Sequence, residues 1–214
     1  MTGNNKGFFI VVEGIEGAGK SSCIRLIDEI LAEHYTGEIV HTREPGGTRL
    51  AERIRNILLT RDEESLCTEA ELLLMYASRA QLVNQVILPA LAAGKVVVGD
   101  RHDLSSRAYQ GGGRGMDLNM IRRIKTLAIG DFRPDLTILL DVDPLTGMKR
   151  VDSRGQERDR FESEKLSFFE RVRHQYLVEA QEDPSIKVID ACQSEELVHQ
   201  DIRQVVEEFL CSRG

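Results

Sequence analysis

Residues Gly14 to Ser21 read Gly-Ile-Glu-Gly-Ala-Gly-Lys-Ser, the complete G-x-x-x-x-G-K-[ST] pattern. Glycines at these positions let backbone N–H groups turn inward around phosphate oxygens. Lys20 adds a mobile cation, the Ser21 hydroxyl can ligate Mg²⁺, and a helix beginning there aims its positive end at the anion. The segment Gly14, Ile15, Glu16, Gly17, Ala18, Gly19, Lys20, Ser21 and Ser22 is therefore expected to cradle the phosphates of a nucleoside triphosphate.

Three further segments carry charge where such a nucleotide needs it. Val96 to Gly99 is an apolar run followed by Asp100-Arg101-His102. An acid at such a strand end can hold Mg²⁺ directly or through water, and Arg101 can meet a phosphate with its planar fork of donors. Thr42-Arg43-Glu44-Pro45-Gly46-Gly47 is a tight turn by composition, with Arg55 about two helical turns into the next segment. Arginines spread over Arg43, Arg55 and Arg101 suit a second phosphate site, which a transferase needs and a hydrolase does not. The stretch Arg150 to Arg160 carries Arg150, Arg154, Arg158 and Arg160 among acids. Alone it reads as a solvated charge run; beside a phosphate loop it has the composition of a lid that closes late and excludes water.

These groups need a scaffold. Strand-like runs at Phe8 to Val12, Glu38 to Thr42, Val96 to Gly99, Leu136 to Asp141 and Lys187 to Asp190 alternate with helical patterns. The helices are expected over Lys20 to His34, Arg49 to Leu59, Thr68 to Ala92, Asp117 to Ile129, Leu145 to Ser153, Glu164 to Gln181 and Glu195 to Leu210. That alternation predicts an α/β fold with a parallel sheet covered on both faces. Thr68 to Glu71 reads as a capping box, Gly94 as a helix stop, and Ser194 as the start of the closing amphipathic helix. Gln110 to Gly115, Gln-Gly-Gly-Gly-Arg-Gly, is too rich in glycine for a regular element and is expected to be a mobile loop.

Composition narrows the classes. The chain has 214 residues, 41% apolar and 29% charged, which suits one soluble domain spanning 1–214. A net charge of −7, from 35 acids against 28 bases, argues against a nucleic-acid coating surface. Cys23, Cys67, Cys192 and Cys211 lack C-x-x-C spacing and read as reduced thiols. No apolar run reaches membrane-spanning length, and Met1 to Gly7 is polar, so a cytoplasmic location is expected.

With these motifs together, the chain resembles the bacterial thymidylate kinases, nucleoside monophosphate kinases that phosphorylate dTMP with ATP. The likeness extends over essentially the whole length. It rests on the phosphate loop with an acid at Glu16, Arg-Glu-Pro-Gly-Gly at Arg43 to Gly47, Asp-Arg-His at Asp100 to His102, and Ser-Ser-Arg-Ala-Tyr-Gln at Ser105 to Gln110. It implies a P-loop NTPase-type three-layer fold with a five-stranded parallel sheet, a lid over about 150–162, Mg²⁺ as cofactor and ATP as donor.

Carried over by position, the resemblance implies that Lys20 and Ser21 serve ATP and the metal, with Asp100 and Glu16 as further metal candidates. Arg43, Arg55 and Arg101 would hold the dTMP phosphate beside Pro45. Glu16 would face the deoxyribose 3′ hydroxyl or the metal, and Glu13 would be structural. Arg79, Ser106 and Gln110 would read the thymine edge, and Tyr109 would pack on the sugar and disfavour a 2′ hydroxyl. The phosphate loop has no arginine, so Arg154, Arg158 or Arg160 would supply charge from the lid. Met75 stands where the family commonly has a phenylalanine, leaving Met75 or Tyr76 to cover the base. A homodimer packed through helices is also implied, with the apolar stretch around Leu72 to Ile87 serving either that interface or the core. The alternatives are another pyrimidine nucleotide kinase, or a nucleotide-binding regulator without turnover.

Overall fold

The computed structural model describes residues 7–153, 155 and 157–213. Arg154 of the expected lid and the first six residues lie outside them. Among the described residues five strands form one parallel sheet: β1 (Phe9–Glu13), β2 (Ile39–Arg43), β3 (Val96–Asp100), β4 (Leu136–Asp141) and β5 (Ile186–Asp190). Their order is β2-β3-β1-β4-β5. Between and after them run α1 (Lys20–His34), α2 (Arg49–Leu59), α3 (Thr68–Leu82), α4 (Leu88–Ala92), α5 (Asp103–Ser106), α6 (Leu118–Ile129), α7 (Pro144–Asp152), α8 (Leu166–Glu182) and α9 (Glu195–Cys211).

All five residues of β1 are buried, as a central strand covered on both faces requires. Alternation along the strands splits the core. Ile10, Val12, Val98 and Ile138 pack with Ile27, Ile30 and Leu31 of α1 and Val206 of α9. Phe9, Val11 and Val97 face the other way, onto Leu82, Val83, Ile87 and Ile129. The register brings the chemical residues to one edge. Val12 lies opposite both Asp100 and Ile138, and Arg43 lies opposite Asp100. From β1 the chain fills one side of the sheet and then crosses to the other, so a crevice opens at the carboxyl end of β1, where ligands bind in such sheets.

The strands fall within a residue of their expected positions, and several helix ends follow their signals. Ser194 accepts from the Leu197 N–H at the start of α9, and Gly94 follows the Leu88–Ala92 helix with φ +74°. Three expectations are corrected. The continuous helix over Thr68 to Ala92 is interrupted by a π-helical turn at Val83–Ile87, just ahead of Pro89, which has no N–H to give. The capping box at Thr68 does not form: Cys67 is the N-cap, and Glu71 is buried instead.

The third correction concerns the glycine-rich run. It is a π-helical continuation of α5 over Arg107–Gly113, with Gly111 and Gly113 buried. A Cβ on Gly112 would lie 2.6 Å from that of Gln175, and one on Gly113 would lie 2.4 Å from the Phe168 ring. These glycines let the segment press against α8, so their role is close approach and not mobility.

Candidate active site

The phosphate loop leaves β1 at Glu13 and enters α1 at Lys20. At Gly17 the backbone has φ +75°, and a Cβ would meet the Gly147 carbonyl oxygen of α7 at 2.2 Å. The loop is thus seated on α7, and Arg150 Nη1 donates to the Gly17 carbonyl at 3.2 Å. Lys20 Nζ donates to the carbonyls of Gly14 and Ile15 at 3.2 and 3.1 Å, folded over the loop it serves. Burial and the nearby Arg101 charge, only partly offset by Asp100 and Glu16, push its ammonium down to about 8. Ser21 is exposed in the first turn of α1.

Opposite the loop, Asp100 ends β3 with Oδ1 buried and without a partner among the described residues. Arg101 follows with φ +71°, a backbone state rare for a side chain of its size and a kind of strain found at functional sites. The turn aims its guanidinium inward. Nη2 reaches Glu16 Oε1 at 2.7 Å and the Tyr109 hydroxyl at 3.1 Å, and Nη1 reaches Ser105 Oγ at 3.1 Å. Tyr109 donates to Glu16 Oε2 at 2.5 Å. Burial opposes ionisation of Glu16, but Arg101 and Lys20 outweigh it and hold the carboxyl below its usual range. Both Glu16 oxygens are therefore taken, whereas Asp100 keeps one free for a cation. Glu13 is structural, as expected: it accepts from the His102 N–H, Ser105 Oγ and the Tyr176 hydroxyl, tying β1 to the start of α5.

Beyond Arg101 an open cleft of about 90 Å³ is lined by Glu16, Pro45, Arg55, Met75, Arg79, Arg101, Ser106, Tyr109 and Gln110, with Glu44, Leu59, Ser105, Asp159 and Phe161. Arg79 forms its floor, 2% exposed. It donates to Glu44 Oε2 at 2.6 Å, Ser106 Oγ at 3.0 Å and the His102 carbonyl at 3.0 Å, and lies over the Tyr76 ring. Glu44 also meets His102 Nδ1 at 2.7 Å. Burial works against the charged form of Glu44, but Arg79 and His102 prevail and lower its pKa. Arg55 Nη1 donates to the Pro45 carbonyl at 2.8 Å.

Not every expected residue gathers there. Arg43 is exposed, does not line the cleft, and pairs with Glu52 at 3.0 Å. Tyr76 points away, its hydroxyl 2.8 Å from Asp103, so Met75 and not Tyr76 borders the cleft. Of the described lid arginines, Arg158 stands beside the loop, sharing a small hollow with Ile15 and Glu16 and pairing with Asp152 at 2.5 Å. Arg160 lines neither that hollow nor the cleft and reaches the buried Glu71 at 2.6 Å and the Leu58 carbonyl at 2.7 Å. A separate cavity of about 320 Å³ behind Tyr76 is lined by Arg107, Arg122 and Lys125, whose charged ends already meet Asp103, Glu179 and the Gly130 carbonyl.

The phosphate loop and the arginine-lined cleft thus meet at Glu16 and Arg101. The family model described as thymidylate kinase matches residues 12–202. The chain belongs to the thymidylate kinase family. It is 53% identical over 205 residues to the thymidylate kinase of Colwellia psychrerythraea, covering 95% of this chain and 96% of that one. It is 54% identical over 198 residues to that of Shewanella frigidimarina, covering 92% and 91%. The crystal structure of thymidylate kinase from Ehrlichia chaffeensis superposes with a TM-score of 0.75 at 34% identity, covering 94% and 98%.

As a thymidylate kinase family member, this chain builds its cleft partly from residues that motif reading passed over. Glu44 sat unremarked inside the Arg-Glu-Pro-Gly-Gly turn, and Ser105 inside the Ser-Ser-Arg motif. Phe161 lies in the charge-rich lid segment, where its ring, T-shaped to Tyr109 at 5.9 Å, brings an aromatic plane that the Met75 position lacks.

Proposed function

We propose that this protein transfers the γ-phosphate of ATP to dTMP, giving dTDP and ADP for dTTP synthesis. Membership of the family supports the reaction, and the meeting of the phosphate loop with the arginine-lined cleft at Glu16 and Arg101 carries it to these residues. The donor phosphates lie along the N–H groups of the loop from Gly14 to Ser22, with Lys20 unfolding from its carbonyls to meet them. Asp100, with its unpartnered buried oxygen, and the Ser21 hydroxyl fit Mg²⁺. When bound, Mg²⁺ neutralises charge on the donor phosphates. Glu16, with both oxygens occupied, fits the deoxyribose side better than the metal.

The acceptor's phosphate is held by Arg101 and Arg55, with Arg43 available if its pair with Glu52 opens. Arg79, Ser106 and Gln110 face the base edge, Met75 and Phe161 cover its faces, and Tyr109 with Glu16 bounds the sugar. Arg158 is the described lid arginine best placed for the transferred group. The acceptor phosphate is already ionised at neutral pH and the transition state is loose, so positioning and charge stabilisation supply the acceleration without a protein nucleophile.

The lid over about 150–162 belongs to a single domain in this reading. Exposed Ile57, Leu73 and Leu127 on the adjoining helices α2, α3 and α6 support a homodimer. No described helix is long and apolar enough to cross a membrane. A cytoplasmic location, with no nucleic-acid partner, completes the reading. The test is γ-labelled ATP with dTMP: label should appear in dTDP and never on the protein. Label retained on the protein, or turnover without dTDP, contradicts it.

A further inference from the structure

Glu71 sits on α3 outside the cleft, 1% exposed, and gathers three partners. Its Oε2 accepts from Arg160 Nη1 at 2.6 Å and Arg114 Nη2 at 3.1 Å. Its Oε1 accepts from Gln110 Nε2 at 2.7 Å and Arg114 Nε at 3.3 Å. A carboxylate flanked by two guanidiniums offers acceptors only. The Gln110 amide must therefore give its NH₂ to Glu71, which sends its carbonyl oxygen the other way. Gln110 lines the cleft, and that oxygen accepts no hydrogen bond from any described residue. Arg79, on the same cleft, can only donate.

We propose that Glu71 is a specificity-determining positioning residue. By fixing the Gln110 amide it presents an acceptor beside the Arg79 donors, and so admits a pyrimidine whose N3–H lies next to a carbonyl and refuses one with the opposite polarity. Thymine and uracil have the first pattern. Cytosine has the second, with a bare N3 beside an amino group, and would meet like polarity at both positions. Without the carboxylate the amide can turn over and serve either. This rests on the reading of the cleft as the dTMP site.

The test is kcat/KM for dTMP and dCMP in the wild type, Glu71→Gln and Arg114→Gln. In Glu71→Gln the dTMP to dCMP ratio should fall by about tenfold to a hundredfold. Arg114→Gln disturbs the same buried cluster but keeps the carboxylate, so its ratio should hold. A ratio unchanged in Glu71→Gln, or relaxed equally in both variants, overturns the proposal alone. A wild type without preference for dTMP overturns the reading of the cleft and the proposal with it. Should Glu71→Gln fail to fold, binding of N3-methyl-dTMP to the wild type decides: lost affinity supports an acceptor at Gln110, and retained affinity overturns it.

Discussion

Arg101 Nη2 lies 2.7 Å from Glu16 Oε1, joining the loop after β1 to the end of β3 at the edge the loop shares with the arginine-lined cleft. The same guanidinium bridges Tyr109 and Ser105, and the positive φ of Arg101 aims it there. An ammonium offers its three donors from a single atom and cannot reproduce contacts made from two separated nitrogens of a rigid planar fork. Arg101→Lys should therefore lose kcat/KM nearly as severely as Arg101→Ala, by about a hundredfold to a thousandfold. Steady-state kinetics check this, and a lysine variant with near wild-type activity would contradict it.

Lys20 gives a pH signature. Its folded pKa of about 8 lies below the ordinary 10.5, so between these values the unfolded chain binds more protons. The ligand-free protein should gain stability from this group as pH rises through that window, and bear its full cost below 8. Donor phosphates bound at the proposed site should restore the proton. Calorimetry of ATP binding in buffers of different ionisation enthalpy should show almost no proton uptake at about pH 7 and nearly one proton at about pH 9. Absence of uptake at the higher pH would contradict the placement of Lys20.

Arg158 and Arg160 should separate. Arg158 pairs with the exposed Asp152 beside the loop, whereas Arg160 compensates the buried Glu71. Arg158→Ala should lower kcat by about tenfold or more with little change in melting temperature. Arg160→Ala should cost about 1–3 kcal/mol of stability through a buried carboxylate left short of a partner. Parallel kinetics and thermal melts check this, and the reverse pattern would contradict it.

Gly113→Ala should destabilise the fold by about 1–3 kcal/mol, because the new methyl meets Phe168 at 2.4 Å in a packed core. A denaturant titration showing no loss would mean that α8 does not press on this segment.

The glycine run also shows where reading a sequence stops. Periodicity placed α1 and α2 to the residue, because their apolar faces and their flanking turn residues agree. The glycines at 111–113 carry no such redundancy: the same composition serves a mobile loop or a helix that must approach its neighbour, and only Phe168 and Gln175 decide. Glu71 matched a capping pattern in local sequence, yet Gln110, Arg114 and Arg160, distant in sequence, claim its oxygens. Arg79, Ser106 and Gln110 came from family resemblance, since spacing carries no information about a base. Phe161 escaped notice because a lid rich in charge masks one aromatic ring.

In the proposed reaction dTMP in the arginine-lined cleft accepts the γ-phosphate of ATP held on the loop. This transfer is tested most directly by ADP release with Mg²⁺ and ATP on dTMP, dUMP, dCMP, dGMP and AMP, alongside Lys20→Ala and Arg101→Ala. The account predicts a marked preference for dTMP in the wild type and loss of that turnover in both variants. Comparable rates on another monophosphate, or ATP binding without turnover on any of them, would contradict it.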